Sequence, residues 1–182
     1  MAETTILLVR HGETDWNAER RVQGHTDRSL NEVGLEQIRA LAQELADEPL
    51  DAIYASDLAR AHETARAIAD PRGLPIETLP ELRERDFGTW EGLTDAEVFE
   101  RYPEAHTGSW GDAETREELA ERVVSTLLQI AGAHPGGRVL VVTHGGPLRA
   151  MLAHCALDGA GPIANCHVLR LAFRDGEFSA LH

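Results

Sequence analysis

Three short runs of this chain are apolar throughout: Ile6 to Val9, Ile53 to Ala55 and Val139 to Val142. A strand with one wet face alternates polar and apolar residues. An uninterrupted apolar run is instead the pattern of a strand buried on both faces. Such strands need a layer of helices on each side, and the intervening segments supply the pattern for them. Leu35, Ile38, Leu41, Ala42 and Leu45 recur at helical spacing after Asn31, an N-cap type of residue. A helix is expected from about Asp57 to Ala69, and a longer one from Glu117 to Ala131 with Leu119, Val123, Leu127 and Ile130 on one face. Another should start near Gly146, with Pro147 in its first turn. A short strand near Ile76 and a hairpin over Val168 to Phe173 and Phe178 to Leu181, turning at Asp175-Gly176, complete the series. Alternating strands and helices imply an α/β fold: a mainly parallel, doubly wound sheet with helices on both faces. With no internal repeat and no Pro/Ser-rich linker, 182 residues read as a single domain, 1–182.

In doubly wound sheets, ligands sit beyond the carboxyl ends of the strands. The residues directly after each apolar run are therefore informative. The first run leads into Arg10-His11-Gly12-Glu13-Thr14, the second into Ser56-Asp57-Leu58-Ala59-Arg60, and the third into Thr143-His144-Gly145-Gly146-Pro147. Three strands thus deliver two histidines and two arginines to one edge. The set suits phosphoryl transfer. A neutral imidazole is a nucleophile near neutral pH. Arginine forks match the peripheral phosphate oxygens, where the charge lies. Glycines and a helix N-terminus let backbone amides approach the ligand. A zinc site built on His11, His144 and a carboxylate is the rival. The adjacent arginines oppose a cation and no HxH or HxxxH pair exists, so no metal and no cofactor are expected.

Charge narrows the partners. There are 31 acidic residues against 17 basic ones, a formal charge of −14, and every base is arginine. Without lysine, Schiff-base chemistry and Walker-type phosphate binding are excluded. Any bound anion must be held by arginine, histidine or backbone amides. The acidic surface opposes nucleic acid and anionic membranes. No apolar run approaches the ~20 residues of a membrane span. The start of the chain lacks the features of a signal peptide. Cys155 and Cys166 form no CxxC or disulfide framework, and neither has the basic surroundings of a nucleophile. The expectation is a cytoplasmic protein acting on a small-molecule phosphate ester, with a homodimer left open. Between Phe87 and Trp110 lie five of the nine aromatics with no strand pattern. That segment, about 86–116, is expected to form a satellite core, a short cap over the site, or both.

The motif LVRHGETDWN closely resembles the signature of the histidine phosphatase superfamily, the phosphoglycerate mutase-like fold. The resemblance continues through QGHTDRSLNEVGLEQ, ASDLARAHETA, LRERDFGTWEG and VVTHGGPLRAML, nearly the whole chain in the expected order. It implies a two-step mechanism through a phosphohistidine on His11, with the other ring nitrogen fixed by a backbone carbonyl. Arg10, Arg60 and His144 would hold the transferring group, with Asn17, Gln23 and Gly145 as further phosphate-binding positions. Glu84, in Leu-Arg-Glu, would protonate the leaving oxygen and later deprotonate water. Glu13, Ser56 and Thr64 match motif positions that support these groups, and His25, after Gln23-Gly24, is the histidine elsewhere with most claim to a role. The sequence departs from the family at Gly111-Asp112-Ala113-Glu114-Thr115, where relatives usually have Gly-Gly-Glu-Ser. Among family activities, a phosphatase of the histidine acid phosphatase type is expected. A cofactor-dependent mutase needs extra cations and a longer insertion, whereas Glu81 to Glu121 carries thirteen acids and four arginines. A non-catalytic phosphate-binding module would be expected to lose His11 or Glu84, and both are present.

Overall fold

A computed structural model describes residues 2–107, 113–157 and 161–181. The strands are β1 (Thr4–Arg10), β2 (Ala52–Ala55), β3 (Ile76–Thr78), β4 (Arg138–Thr143), β5 (Val168–Arg174) and β6 (Glu177–Ala180). They form one sheet in the order β3-β2-β4-β1-β5-β6. The pairs β3–β2, β2–β4 and β4–β1 are parallel; β5 runs antiparallel to β1, and β6 antiparallel to β5. The helices are α1 (Asp15–Ala18), α2 (Glu32–Glu44), α3 (Ala59–Ala69), α4 (Asp95–Arg101), α5 (Arg116–Ala133) and α6 (Gly145–His154).

Side chains alternate across a strand, so each apolar run divides between two cores. Ile6, Leu8, Val139 and Val141 pack with Leu119, Val123, Leu127 and Ile130 of α5 and with Leu148 and Met151 of α6. Leu7, Val9, Leu140 and Val142 face the other way, onto Leu41 and Leu45 and onto Ala61, Ala65 and Ile68 of α3. All eight strand residues are fully buried. The expected α/β architecture is present, with element ends shifted by a residue or two: α3 starts at Ala59, not Asp57, and α6 at Gly145. Asn31 caps α2 through the Gly34 N–H at 2.8 Å, as its residue type predicts.

Two short helices were not expected. Both start at a reciprocal capping box, Thr14 with Asn17 and Thr94 with Glu97. The aromatic segment is a third, smaller core: Trp90, Val98 and Ala105 are buried against Val22, Phe87, Leu93 and Tyr102. It is tied to the loop after α1 by an antiparallel bridge between Arg21 and Thr94. Trp110, Gly111 and Asp112, which belong to the expected cap, lie outside the described residues. Among the described residues no helix is long and apolar enough to cross a membrane.

Candidate active site

The carboxyl ends of β1 and β4 lie side by side, Arg10 in register with Thr143. The next residues, His11 and His144, are buried, with ring centroids 5.1 Å apart in an edge-on arrangement. His11 Nδ1 lies 2.6 Å from the Gly12 carbonyl oxygen. A carbonyl only accepts, so Nδ1 carries the proton and the neutral ring presents a bare lone pair on Nε2. Burial, then the charges of Arg60 and Arg10, holds the His11 pKa well below 6.5. The ring is therefore neutral at physiological pH. Its loop is fixed from three sides. Gly12 N–H donates to Thr64 Oγ1 at 3.1 Å, Asn165 Nδ2 donates to the His11 carbonyl at 3.0 Å, and Cys166 N–H donates to the Arg10 carbonyl at 3.0 Å.

Arg60, in the first turn of α3, is fully buried. It donates through Nη2 to the Gly24 carbonyl at 2.8 Å and through Nη1 to the Thr26 carbonyl at 3.0 Å. The loop carrying those carbonyls is itself clamped by one carboxylate. Glu91 accepts from the backbone N–H groups of His25 at 2.8 Å, Thr26 at 2.7 Å and Phe87 at 3.2 Å, and from Thr26 Oγ1 at 2.5 Å. Gly24 has φ +54°, and a Cβ there would stand 1.8 Å from Glu91 Oε1, so only glycine fits. Gln23, in the same loop, is buried, and its Oε1 has no partner among the described residues. Asn17 Oδ1 accepts from Thr14 N–H and from Asn165 Nδ2, both at 3.2 Å, leaving its amide N–H groups as the unused donors.

His144 Nε2 lies 2.8 Å from Ser56 Oγ, which in turn accepts from Leu58 N–H at 3.3 Å. Burial, then Arg60 and His11, keeps the His144 pKa well below 6.5 as well. Glu84 rests on the N-terminus of α6, accepting from Gly146 N–H at 3.0 and 3.1 Å and from Arg85 N–H at 2.8 Å. A Cβ on Gly146 would come within 2.1 Å of Glu84 Oε1, so this glycine is what lets the carboxylate lie there. His25 Nε2–H donates to the Glu84 carbonyl at 2.9 Å, placing that histidine behind the acid.

The residues that the sequence scattered between Arg10 and Gly145 thus converge. Arg10, His11, Arg60, Glu84, His144 and Gly145 share one end of the sheet, with Ser56 and Thr64 supporting them. Burial lowers the pKa of both Arg10 and Arg60, and the charge of Glu84 opposes that in each. Arg10 Nε, Arg60 Nε and His144 Nδ1 are buried without a partner among the described residues. Buried donors left unpaired are costly, and an anion placed among them would remove the cost. Cys166 lies close by, but burial pushes its thiol up to about 11, so it is not an activated nucleophile. Glu91 and Asn165 were not singled out from sequence. Their roles rest on contacts 65 and 154 positions away (Thr26 and His11), which no local pattern reports.

A cleft of about 950 Å³ opens from Arg10, Glu84 and Gly145 along α5 and α6. Fold and site together define a histidine-based phosphoryl-transfer protein on a doubly wound sheet. The chain belongs to the histidine phosphatase superfamily (branch 1), whose model matches residues 6–182. It is 43% identical to a metal-independent phosphoserine phosphatase of Arabidopsis thaliana, over 96% of this chain and 79% of that protein. It is 38% identical to phosphoserine phosphatase 1 of Hydrogenobacter thermophilus, over 85% and 76%. The structure of Bacillus stearothermophilus YhfR superposes with a TM-score of 0.91 at 34% identity, covering 97% and 95%. The chain is a phosphomonoesterase of this superfamily.

Proposed function

We propose that this protein hydrolyses small organic phosphates through a phosphohistidine on His11, without a metal, in the manner of the histidine acid phosphatases. His11 Nε2 attacks phosphorus in line while Glu84 protonates the leaving oxygen. Glu84 then deprotonates the water that attacks the phosphohistidine, so that the proton returns and phosphate leaves. Arg10, Arg60 and His144 hold the peripheral oxygens, with Asn17, Gln23 and the Gly145 amide around them. We assign the His144 proton to Nδ1, with the Ser56 hydroxyl donating to Nε2, so that the unpartnered nitrogen is a donor to phosphate. The observation that carries the reading is the group of buried, unpaired cationic donors beside a neutral imidazole whose Nε2 is bare. In this reading residues 1–182 act as one domain, with about 86–116 as its cap, in the cytoplasm.

A phosphatase is favoured over a mutase because a mutase must retain a highly charged bisphosphate between steps. The segment from Glu81 to Glu121 is acid-rich, and its Arg83 is already paired with Asp57 at 2.6 Å. The experiment supplies 3-phosphoglycerate with catalytic 2,3-bisphosphoglycerate in excess chelator, and tracks 2-phosphoglycerate and free phosphate together. Phosphate release should dominate. Isomerisation outrunning it about tenfold would make the protein a mutase, and activity restored only by a divalent ion would overturn the metal-free mechanism.

A further inference from the structure

The cleft beyond Glu84 has a charge pattern at odds with the rest of this acidic chain. Two of its walls carry arginines, Arg149 on α6 and Arg116 at the start of α5, and both side chains are exposed. Neither side chain forms an ion pair or hydrogen bond among the described residues, although acids flank Arg116 in sequence. Two of those acids are engaged elsewhere. Glu118 is turned back to cap Thr115, accepting from its N–H and Oγ1 at 2.8 Å each. Glu114 pairs with Arg122 at 2.7 and 2.9 Å. Glu121 is the acid other than Glu84 among the described lining residues. The cations are close enough to be felt. Arg149 opposes the charge on Arg10, and Arg116 opposes that on Arg85.

Position along the helix sets the reach. Gly145, whose Cβ position lies 3.6 Å from Arg10 Nε and 3.8 Å from Glu84 Oε2, marks the end of the cleft where the ester is cleaved. Arg149 is four residues on, the same face one turn further, about 6 Å along the axis. A substituent two or three atoms beyond the leaving oxygen would meet it there.

We infer that Arg149 and Arg116 form a subsite for a carboxylate on the leaving group, making them the residues that select acidic phosphate monoesters among the substrates of this enzyme. The inference rests on the phosphatase reading of the site and adds what the alcohol must carry. A carboxylate is favoured over a second phosphate because its single charge is matched by an arginine fork, whereas a dianion would also face Glu121 and the net charge of −14. Arg149 and Arg116 touch neither the phosphoryl group nor Glu84 in this scheme, so they set affinity rather than chemistry.

The test compares kcat/KM of the full chain and of Arg149→Gln and Arg116→Gln on four esters. O-phospho-L-serine and 3-phosphoglycerate carry the carboxylate; O-phosphoethanolamine and p-nitrophenyl phosphate do not. The variants should lose about tenfold to a hundredfold on the first two, mainly through KM, the loss expected for a charge-assisted hydrogen bond. They should change less than about threefold on the others, which also shows that they fold. Equal losses on all four esters, or none on the carboxylated pair, would overturn the subsite while leaving the phosphatase intact. Absence of hydrolysis of all four by the unmodified chain would overturn the phosphatase reading, and this inference with it.

Discussion

The two sides of the active site are built differently. On the sheet side, His11, Arg60 and His144 are each carried at the end of a regular element: directly after β1, in the first turn of α3, and at the N-cap of α6. On the cap side, order depends on single carboxylates: Glu91, which reaches the His25–Thr26 backbone 65 residues away, and Glu114, which holds Arg122. The first arrangement preorganises the charge that meets the phosphoryl group. The second makes the loop that meets the Arg60 guanidinium depend on one carboxylate, so that a change in the cap reaches the phosphate site through Arg60. Substitutions on either side put that difference to the test.

The largest effect is expected on the sheet side. Arg60→Lys replaces a buried fork, which already satisfies two carbonyls, by a point charge. A loss of about 2–4 kcal/mol in transition-state stabilisation should result, read as a fall in kcat/KM of about 30- to 1,000-fold. A variant within threefold of the parent would mean that Arg60 does not serve the phosphoryl group.

On the cap side, Glu91→Gln should act through Arg60 without touching substrate. It turns one carboxylate oxygen into an NH2 donor, so at least one of the three backbone N–H groups loses its acceptor, at a cost of about 1–3 kcal/mol in stability. The loosened loop should lower kcat/KM about tenfold and weaken vanadate binding in the folded protein. A folded variant with unchanged vanadate affinity would show that the clamp supports the cap alone.

A third effect is one of pH. His11 and His144 have pKa values held well below 6.5 in the fold, while in the unfolded chain each titrates near 6.5. The unfolded state therefore binds more protons below that value, so stability rises with pH up to about 6.5 and falls on acidification. Each ring should contribute a slope of up to about 1.4 kcal/mol per pH unit between pH 5 and 6.5. Denaturant melts across that window measure it. His144→Gln should remove about half of the slope, and an unchanged slope would show that these rings are not held neutral by the fold.

The same contrast explains what the sequence disclosed. The doubly wound sheet was legible because Ile6 to Val9 and Val139 to Val142 are apolar at every position, and each then feeds alternate residues to two cores. His11, Arg60 and His144 were legible because each comes soon after a buried strand. Glu84 was not legible by pattern, only by resemblance; its place depends on Gly146, 62 residues later, leaving room for a carboxylate. Glu91 and Asn165 escaped for the same reason. Helices α1 and α4 were missed although Thr94-x-x-Glu97 is a capping-box signal, because four and seven residues are too few to establish a helical period. Arg116 was hidden because the acid count from Glu81 to Glu121 suggested repulsion. The fold turns the neighbouring acids onto caps and other arginines instead.

The central claim is that His11 becomes covalently phosphorylated, and one measurement addresses it directly. Enzyme turning over a phosphate ester, quenched in denaturant at alkaline pH and analysed by peptide mass spectrometry, should carry a phosphate on His11 that is lost on acid treatment. The His11→Asn variant should carry none and should release no phosphate. Steady turnover with His11 unmodified, or with the phosphate on another side chain, would contradict the account.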